Sequence, residues 1–332
     1  MNSSGKVLIL GASGGIGGEV ARRLVADNWQ VRALKRGAQI RDPEDGIQWI
    51  AGDALDGGQV AAAAAGCDVI VHAVNPPGYR HWRQQVLPML RNTLQAAERQ
   101  RALVVLPGTV YNYGPDAFPL IAEEAAQQPV TRKGAIRVAM ELALKDYVQR
   151  GGRALIVRAG DFFGPRAGNN WFSQGLVKPG QLPRIISYPG AIGVGHQWAW
   201  LPDVAATIAA LLARRHELEP FAAFIMQGLL GTRTAAETVR RIQRVVARYG
   251  GRAVAKSFPW WLVKLAAPFN ATLREMVEMH YLWRLPVRLR NDKLVDFLGA
   301  EPHTPLDSAV YQTLQGLGCL PAGAINQEAG EA

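Results

Sequence analysis

Cysteine is nearly missing from this sequence, with only Cys67 and Cys319 among 332 residues. Two thiols give no disulfide framework and no C-x2-C or Cys/His ligand spacing, which excludes a stapled miniprotein and a zinc module; no metal is expected. Cys67, inside GCDVIVHAV, reads as a small buried thiol, and the scarcity of cysteine points to a reducing, cytoplasmic compartment. Long apolar runs are missing too. Nothing reaches the roughly 18 to 20 uninterrupted apolar residues of a membrane span, and the opening MNSSGKVLILGAS has no secretory-type leader. The stretch FPWWLVKLAAPF (Phe258–Phe269) is short, holds Lys264 and two prolines, and reads as a pocket lid or core segment in preference to a membrane-surface segment. Acidic residues are in deficit, 27 against 37 Lys and Arg, so the net charge is +10 and anions are favoured ligands. The arginines are scattered over helical patterns (Arg22, Arg23, Arg91, Arg99, Arg214, Arg215, Arg240, Arg241, Arg244) without a nucleic-acid-binding motif, so they read as solvated helix faces and nucleic acid is not an expected partner.

What remains is a chain with 48% hydrophobic residues, enough for a substantial core. Short aliphatic runs alternate with helical periodicity. The pattern predicts strands over Lys6–Leu10, Gln30–Lys35, Ile47–Ala51, Val69–Ala73, Leu103–Leu106, Ala154–Arg158 and Ala223–Gln227. It predicts helices over Gly17–Ala26, Gln59–Ala65, Arg83–Arg99, Gly134–Gln149, Pro202–Ala213 and Ala235–Arg248, the last with Thr234 as N-cap. Near-continuous aliphatic strands separated by helices indicate an α/β fold, a doubly wound parallel (Rossmann) sheet with helices on both faces. After Arg158 the rhythm breaks into GDFFGPRAGNNWFSQG, and the last eighty residues or so are aromatic and punctuated by proline. The expected division is a dinucleotide-binding domain over 1–165, joined by about 196–230, and a smaller, interleaved C-terminal substrate domain over 166–195 and 231–332.

The strongest signal is Gly11-Ala12-Ser13-Gly14-Gly15-Ile16-Gly17, set between the first strand and the first helix. Gly11 permits the sharp turn, Gly14 lets backbone approach a diphosphate, and Gly17 allows the helix to pack tightly on the sheet. Ser13, Gly15 and Ile16 complete a helix N-terminus whose N–H groups favour phosphate. The second strand ends in Lys35 and Arg36, and no acid occurs in Gln30–Ile40 to hold the ribose hydroxyls of NAD. Two cations there suit a 2′-phosphate, so NADP is the expected cofactor and NAD the alternative. Asp53 and Ala54, after the third strand, are placed to meet the adenine, with a loop N-cap as the other reading of Asp53. Ala73 and Val74 complete the cofactor-binding set at the end of the fourth strand, where His72 is read as a satisfied histidine.

Together with Asp68–Val74 (DVIVHAV), Thr109-Val110-Tyr111, the run Arg158–Pro165 (RAGDFFGP) and Trp200–Ala205 (WLPDVA), these features resemble the extended short-chain dehydrogenase/reductase superfamily, which includes nucleotide-sugar epimerases and dehydratases. The resemblance implies a Tyr-x-x-x-Lys pair on a helix, the ammonium lowering the phenol pKa for proton transfer while the cofactor moves hydride. Here Lys133 stands at the Tyr position and Arg137 at the Lys position, Pro107 at the family's Ser, and Thr109 nearby. The catalytic candidates are therefore Thr109, Tyr111, Lys133 and Arg137, with Tyr113 as a further phenol and Arg137 also able to bond the nicotinamide ribose. Lys133 reads equally as a solvated residue at the helix start, and a loop tyrosine as packing. Asp161, at the family's substrate-contacting Asn, and His196 are the substrate candidates, with Trp198 beside them. The resemblance further implies a homodimer through the helices Arg83–Arg99 and Gly134–Gln149. Two functions stay open: an NAD(P)-dependent oxidoreductase or epimerase/dehydratase-like enzyme acting on a carbonyl or hydroxyl of a small organic substrate, and an NmrA-like NADP-binding sensor without turnover.

Overall fold

The computed structural model of the chain describes residues 4–37, 45–76, 82–168, 170–191, 193–229 and 235–321. The first half gives β1 (Lys6–Leu10), α1 (Gly15–Ala26), β2 (Gln30–Lys35), β3 (Ile47–Ala51), α2 (Gly57–Ala63), β4 (Val69–His72), α3 (Trp82–Gln100), β5 (Leu103–Gly108), β6 (Leu120–Ile121), α4 (Arg132–Gln149) and β7 (Arg153–Arg158). The second gives β8 (Asp161–Phe163), β9 (Ile185–Tyr188), β10 (Trp198–Trp200), α5 (Leu201–Ala213), β11 (Phe221–Ile225), α6 (Ala235–Arg248), β12 (Val254–Ser257), α7 (Trp260–Ala266), α8 (Ala271–Glu278), α9 (Tyr281–Arg284), β13 (Arg288–Leu289), α10 (Asp292–Leu298) and α11 (Leu306–Gly316). Thr234, expected to cap α6, lies outside the described residues.

Seven strands form one parallel sheet in the order β11-β7-β5-β4-β1-β2-β3. The period-2 geometry of a strand sends Val7 and Ile9 of β1 into a core with Val20 and Leu24 of α1 and Ile208 and Leu212 of α5. Leu8 and Leu10 enter the opposite core with Val86, Leu90 and Leu94 of α3 and Met140 and Leu144 of α4. Each such fully buried aliphatic side chain contributes about 1.5–3 kcal/mol. The β1 strand has β2 on one side and β4 on the other, so the connections diverge there and open a crevice at the carboxyl ends of the strands.

Several boundaries shift by one or two residues from the sequence pattern, and at two of them the local reason is plain. Helix α1 begins at Gly15, two residues early, because Gly14 in extended conformation already serves as N-cap. Strand β5 continues through Pro107 and Gly108, pairing them with Val157 and Arg158 of β7. Leu103 N donates to Asp68 O, so odd positions of β5 aim their N–H toward β4, and that ladder ends at Val105. The N–H that Pro107 lacks would therefore have pointed where no ladder bond remains.

Beyond the sheet, β8 pairs with β10, β9 with β12 and β6 with β13, all parallel. The first two pairs border an aromatic core in which Phe163, Phe172, Trp198 and Trp283 pack with Ile242 and Val310, whereas Ile121 of β6 and Leu289 of β13 join a smaller core with Val110, Tyr113 and Leu282. The chain then returns to the sheet: Leu294 of α10 is buried in the same core as Val7 and Ile9.

Candidate functional site

A cavity of about 820 Å³ occupies the crevice. Gly11, Ser13, Gly14, Gly15 and Ile16 line one end, with Lys35, Arg36, Asp53, Ala54, Ala73 and Val74. Gly11 has φ +92°, and a Cβ there would stand 2.6 Å from Ala73 O, so both its backbone conformation and the proximity of the β4 end demand glycine. A Cβ on Gly14 would meet only Gly11 O, at 3.3 Å, leaving that backbone open toward the cavity. Gly17 does not line the cavity; its Cβ would lie 2.3 Å from Gly11 O, which makes it the contact that seats α1 against the turn. Asp56 and Thr131 cap α2 and α4 with their side chains, whereas Gly14 puts no side-chain cap on α1. The α1 terminus thus presents a bare, partly positive helix end to the cavity, the arrangement that suits phosphate.

Lys35 and Arg36 are exposed on the rim, with Lys35 Nζ 5.6 Å from the Trp49 ring centroid. Asp53 is held in a local turn, Oδ1 accepting from Leu55 N at 3.0 Å while its own N–H donates to Gln59 Oε1 at 2.7 Å. His72 lies behind the wall, Nδ1 2.8 Å from Thr93 Oγ1, and burial, then the Arg137 charge, lowers its pKa to about 3.

The other end of the cavity is built from side chains. Lys133 and Arg137, one helical turn apart on α4, are both buried and both face it. Lys133 Nζ donates to Glu275 O at 3.1 Å and lies 3.4 Å from Glu275 Oε2, so α8 holds it. Burial lowers the Lys133 pKa, opposed by the Glu275 carboxylate. Arg137 Nη2 is 3.4 Å from Asn75 Oδ1, and its guanidinium lies 5.4 Å from the Trp82 ring centroid. Opposite, Tyr111 donates its hydroxyl to Asp161 Oδ1 at 3.2 Å, and both residues line the cavity with Thr109. His196 and Trp198 stand behind the wall: His196 Nε2 is 2.9 Å from Asp161 Oδ2, Nδ1 is 3.3 Å from Leu282 O, and the ring stacks on Trp283 at 3.6 Å. His196, expected as a substrate residue, does not line the cavity itself and reaches it only through Asp161.

One cluster has no counterpart among the candidates read from sequence. Arg158, at the end of β7, donates from Nη2 to both carboxylate oxygens of Glu141 of α4, at 2.8 and 2.9 Å, and from Nη1 to Thr109 O at 2.7 Å. Asn112 and Gln127 donate to the same carboxylate at 2.9 and 2.6 Å. This buried network fixes the Thr109–Asn112 loop to α4, and with it the position of Tyr111. The available signal was the spacing of Glu141, four residues after Arg137 and eight after Lys133, on the same face of a helix.

Residues 7–223 match the sequence model of the NAD dependent epimerase/dehydratase family. An uncharacterised protein, y4nL, of Sinorhizobium fredii (strain NBRC 101917 / NGR234) is 28% identical over 206 residues, 54% of this chain, and the chain covers only 57% of that relative's length. Among solved structures, a protein of Burkholderia cenocepacia J2315 assigned as an epimerase superposes with a TM-score of 0.72 at 20% identity, over 96% of this chain and 99% of that one. The UDP-glucose 4-epimerase of Brucella ovis, in complex with NAD, gives 0.70 at 16% identity, over 95% and 98%. The glycine turn, the strand order and the matched span agree: the chain belongs to the NAD dependent epimerase/dehydratase family.

Proposed function

We propose that this chain is an NADP-dependent oxidoreductase of epimerase/dehydratase type, acting on a carbonyl or hydroxyl of a small organic substrate with non-standard proton-transfer groups. One observation carries the reading: two titratable side chains, Lys133 and Tyr111, face one cavity with the glycine turn, each held by a carboxylate from another element. The residues present fit a dinucleotide, since the Gly14 backbone is open toward the cavity and the α1 terminus carries no side-chain cap. Gly11–Ile16 would hold the diphosphate, Asp53 and Ala54 the adenine, Ala73, Val74 and Arg137 the nicotinamide half, and Lys35 with Arg36 the 2′-phosphate. When bound, the nicotinamide supplies or accepts hydride. Lys133, its ammonium weakened by burial, exchanges a proton with the reacting oxygen, while Asp161, braced by His196, orients the Tyr111 phenol toward the same space.

Phe162, Trp171, Met276 and Met279 on the cavity wall favour a substrate with a large apolar part. A sugar nucleotide, as named for the Brucella ovis relative, is the alternative. Two buried free thiols support a cytoplasmic setting, and family likeness supports a homodimer through α3 and α4.

Calorimetric titration with NADPH and NADH tests the cofactor: NADPH is expected to bind about tenfold or more tightly, and equal affinities remove the role of Lys35 and Arg36. Lys133→Ala is expected to slow NADPH oxidation with a productive carbonyl substrate by about 10²–10⁴-fold while leaving cofactor affinity nearly intact, and unchanged turnover refutes a catalytic Lys133. A second reading, a sensor that binds NADP without turnover, is favoured by the double engagement of Lys133 with Glu275. Tight NADPH binding with no turnover across a broad carbonyl and nucleotide-sugar screen selects it.

A further inference from the structure

Helix α7 and the 3-10 turn after it (Ala267–Phe269) carry the most exposed apolar surface of the described residues. Phe269 is 92% exposed, Trp261 68% and Leu265 67%, the three highest values among large apolar side chains there, and Leu262 adds 46%. Other exposed apolar residues, such as Leu55, Val130 and Leu142, are scattered singly, as on any protein surface. Trp261 and Leu265 are one helical turn apart, and Phe269 follows four residues later. The other side of the same segment is firmly attached. Val263 and Ala267 are buried, Trp260 stacks on His280 at 3.9 Å, and Trp260 Nε1 donates to Pro189 O at 2.6 Å. The outward face is therefore displayed by a fixed element.

Charge identifies what would cover it. From Arg252 to Arg274 the sequence holds four cations (Arg252, Lys256, Lys264, Arg274) and no carboxylate, and all four are exposed. Arg284 adds a fifth exposed cation: after burial, the Lys264 and Arg284 charges lower the pKa of His280, which lies against Trp260. A two-fold contact of this face with a second copy would set cation against cation, which is repulsive. Aromatic and aliphatic side chains on a segment whose only charged residues are cations, with the nearby Glu275 and Glu278 of α8 engaged by Arg132 and Lys133, fit the boundary of an anionic bilayer, where tryptophan and phenylalanine reach the acyl region and lysine and arginine rest among the headgroups.

We propose that α7 and its following turn form a wedge that docks the protein on an anionic membrane surface, with Trp261, Leu262, Leu265 and Phe269 inserted and Lys256, Lys264 and Arg274 among the headgroups. The contact is interfacial, since among the described residues no helix is long and apolar enough to cross a membrane. So short a wedge gives reversible binding that needs both the apolar and the charged contribution. Phe258 just before α7 and Thr272 and Met276 on α8 line the cavity, so the docked segment lies between two parts of the cavity wall.

Flotation of the full chain with phosphatidylglycerol vesicles, compared with phosphatidylcholine vesicles, tests the docking independently of any catalytic activity. Binding to the anionic vesicles is expected to be about tenfold or more stronger and to weaken as salt rises. The combined Leu265→Ser and Phe269→Ser change is expected to lower the partition about tenfold or more, with melting temperature and NADPH affinity unchanged, because both side chains are exposed. Lys264→Glu is expected to weaken binding to anionic vesicles alone. No flotation with phosphatidylglycerol at low ionic strength, or undiminished flotation of the serine variant, overturns the proposal. A dimer that dissociates on the serine changes without vesicle binding also overturns it, by assigning the face to a second copy.

Discussion

At one end of the cavity, Gly11 to Gly17 shape the site with backbone, in seven consecutive residues whose main constraints are the space a Cβ would take and the φ of Gly11. At the other, Lys133, Tyr111, Asp161 and Glu275 are side chains delivered by α4, the loop after β5, β8 and α8. The first end tolerates almost no change in shape and places few demands on distant residues. The second depends on partners from distant segments: Glu275 holds Lys133, and Glu141 with Arg158 holds the Thr109 loop. A backbone site is fixed in form by sterics, whereas a side-chain site is set by the groups that support it.

The hardest test strikes the backbone end. In Gly17→Val the new Cβ would stand 2.3 Å from Gly11 O, so α1 must lift from the turn; loss of measurable NADPH binding by calorimetry and several kcal/mol of stability are expected. Retained affinity would show that the turn is more plastic than the geometry allows. Next, Glu141→Ala strikes the supports of the other end. It leaves the Arg158 guanidinium buried and uncompensated, so urea unfolding is expected to show a loss of about 3–5 kcal/mol, with NADPH affinity changed far less than turnover. Parallel losses of affinity and turnover would break the distinction between the two ends.

The smallest effect concerns His72, at the seam where β4 meets the cavity. Its folded pKa is about 3 against an ordinary 6.5, so between those values the unfolded chain binds more protons than the folded one. Stability attributable to His72 is therefore complete above about pH 6.5 and is lost as pH falls toward 3, with a slope of at most about 1.4 kcal/mol per pH unit. His72→Asn is expected to flatten that part of the stability–pH curve, measured by urea titration at several pH values. An unchanged acid limb would assign the dependence to other groups.

Much of this was legible from residue patterns. The alternation of aliphatic runs with helical periodicity gives the seven-stranded sheet, and only element ends shift, as at Gly15 of α1 and Pro107 of β5. The cofactor end was legible because its residues are neighbours in the chain and its requirement is steric. The side-chain end was legible only as positions: Lys133, Arg137, Tyr111 and Asp161 could be named, but not Glu275 as the group holding Lys133, nor Arg158 and Glu141 as supports of the Thr109 loop. His196 shows the limit most clearly. Its nearness to the family passage suggested a substrate contact, but neither its stack on Trp283 nor its bond to Asp161 could be read from the sequence. The apolar run around α7 read as lid or core in preference to surface, because no pattern of hydrophobicity shows which side chains the fold leaves outside.

The amino-acid order by itself determined the parallel sheet, the glycine turn and the cationic end of β2, because side-chain period, Cβ sterics and local charge act between near neighbours. The fold alone decided which carboxylate meets which cation, that Lys133 loses its water, and that the Trp261–Phe269 face points outward. Those outcomes depend on distances between segments far apart in the chain, and such distances exist only once the cores have packed.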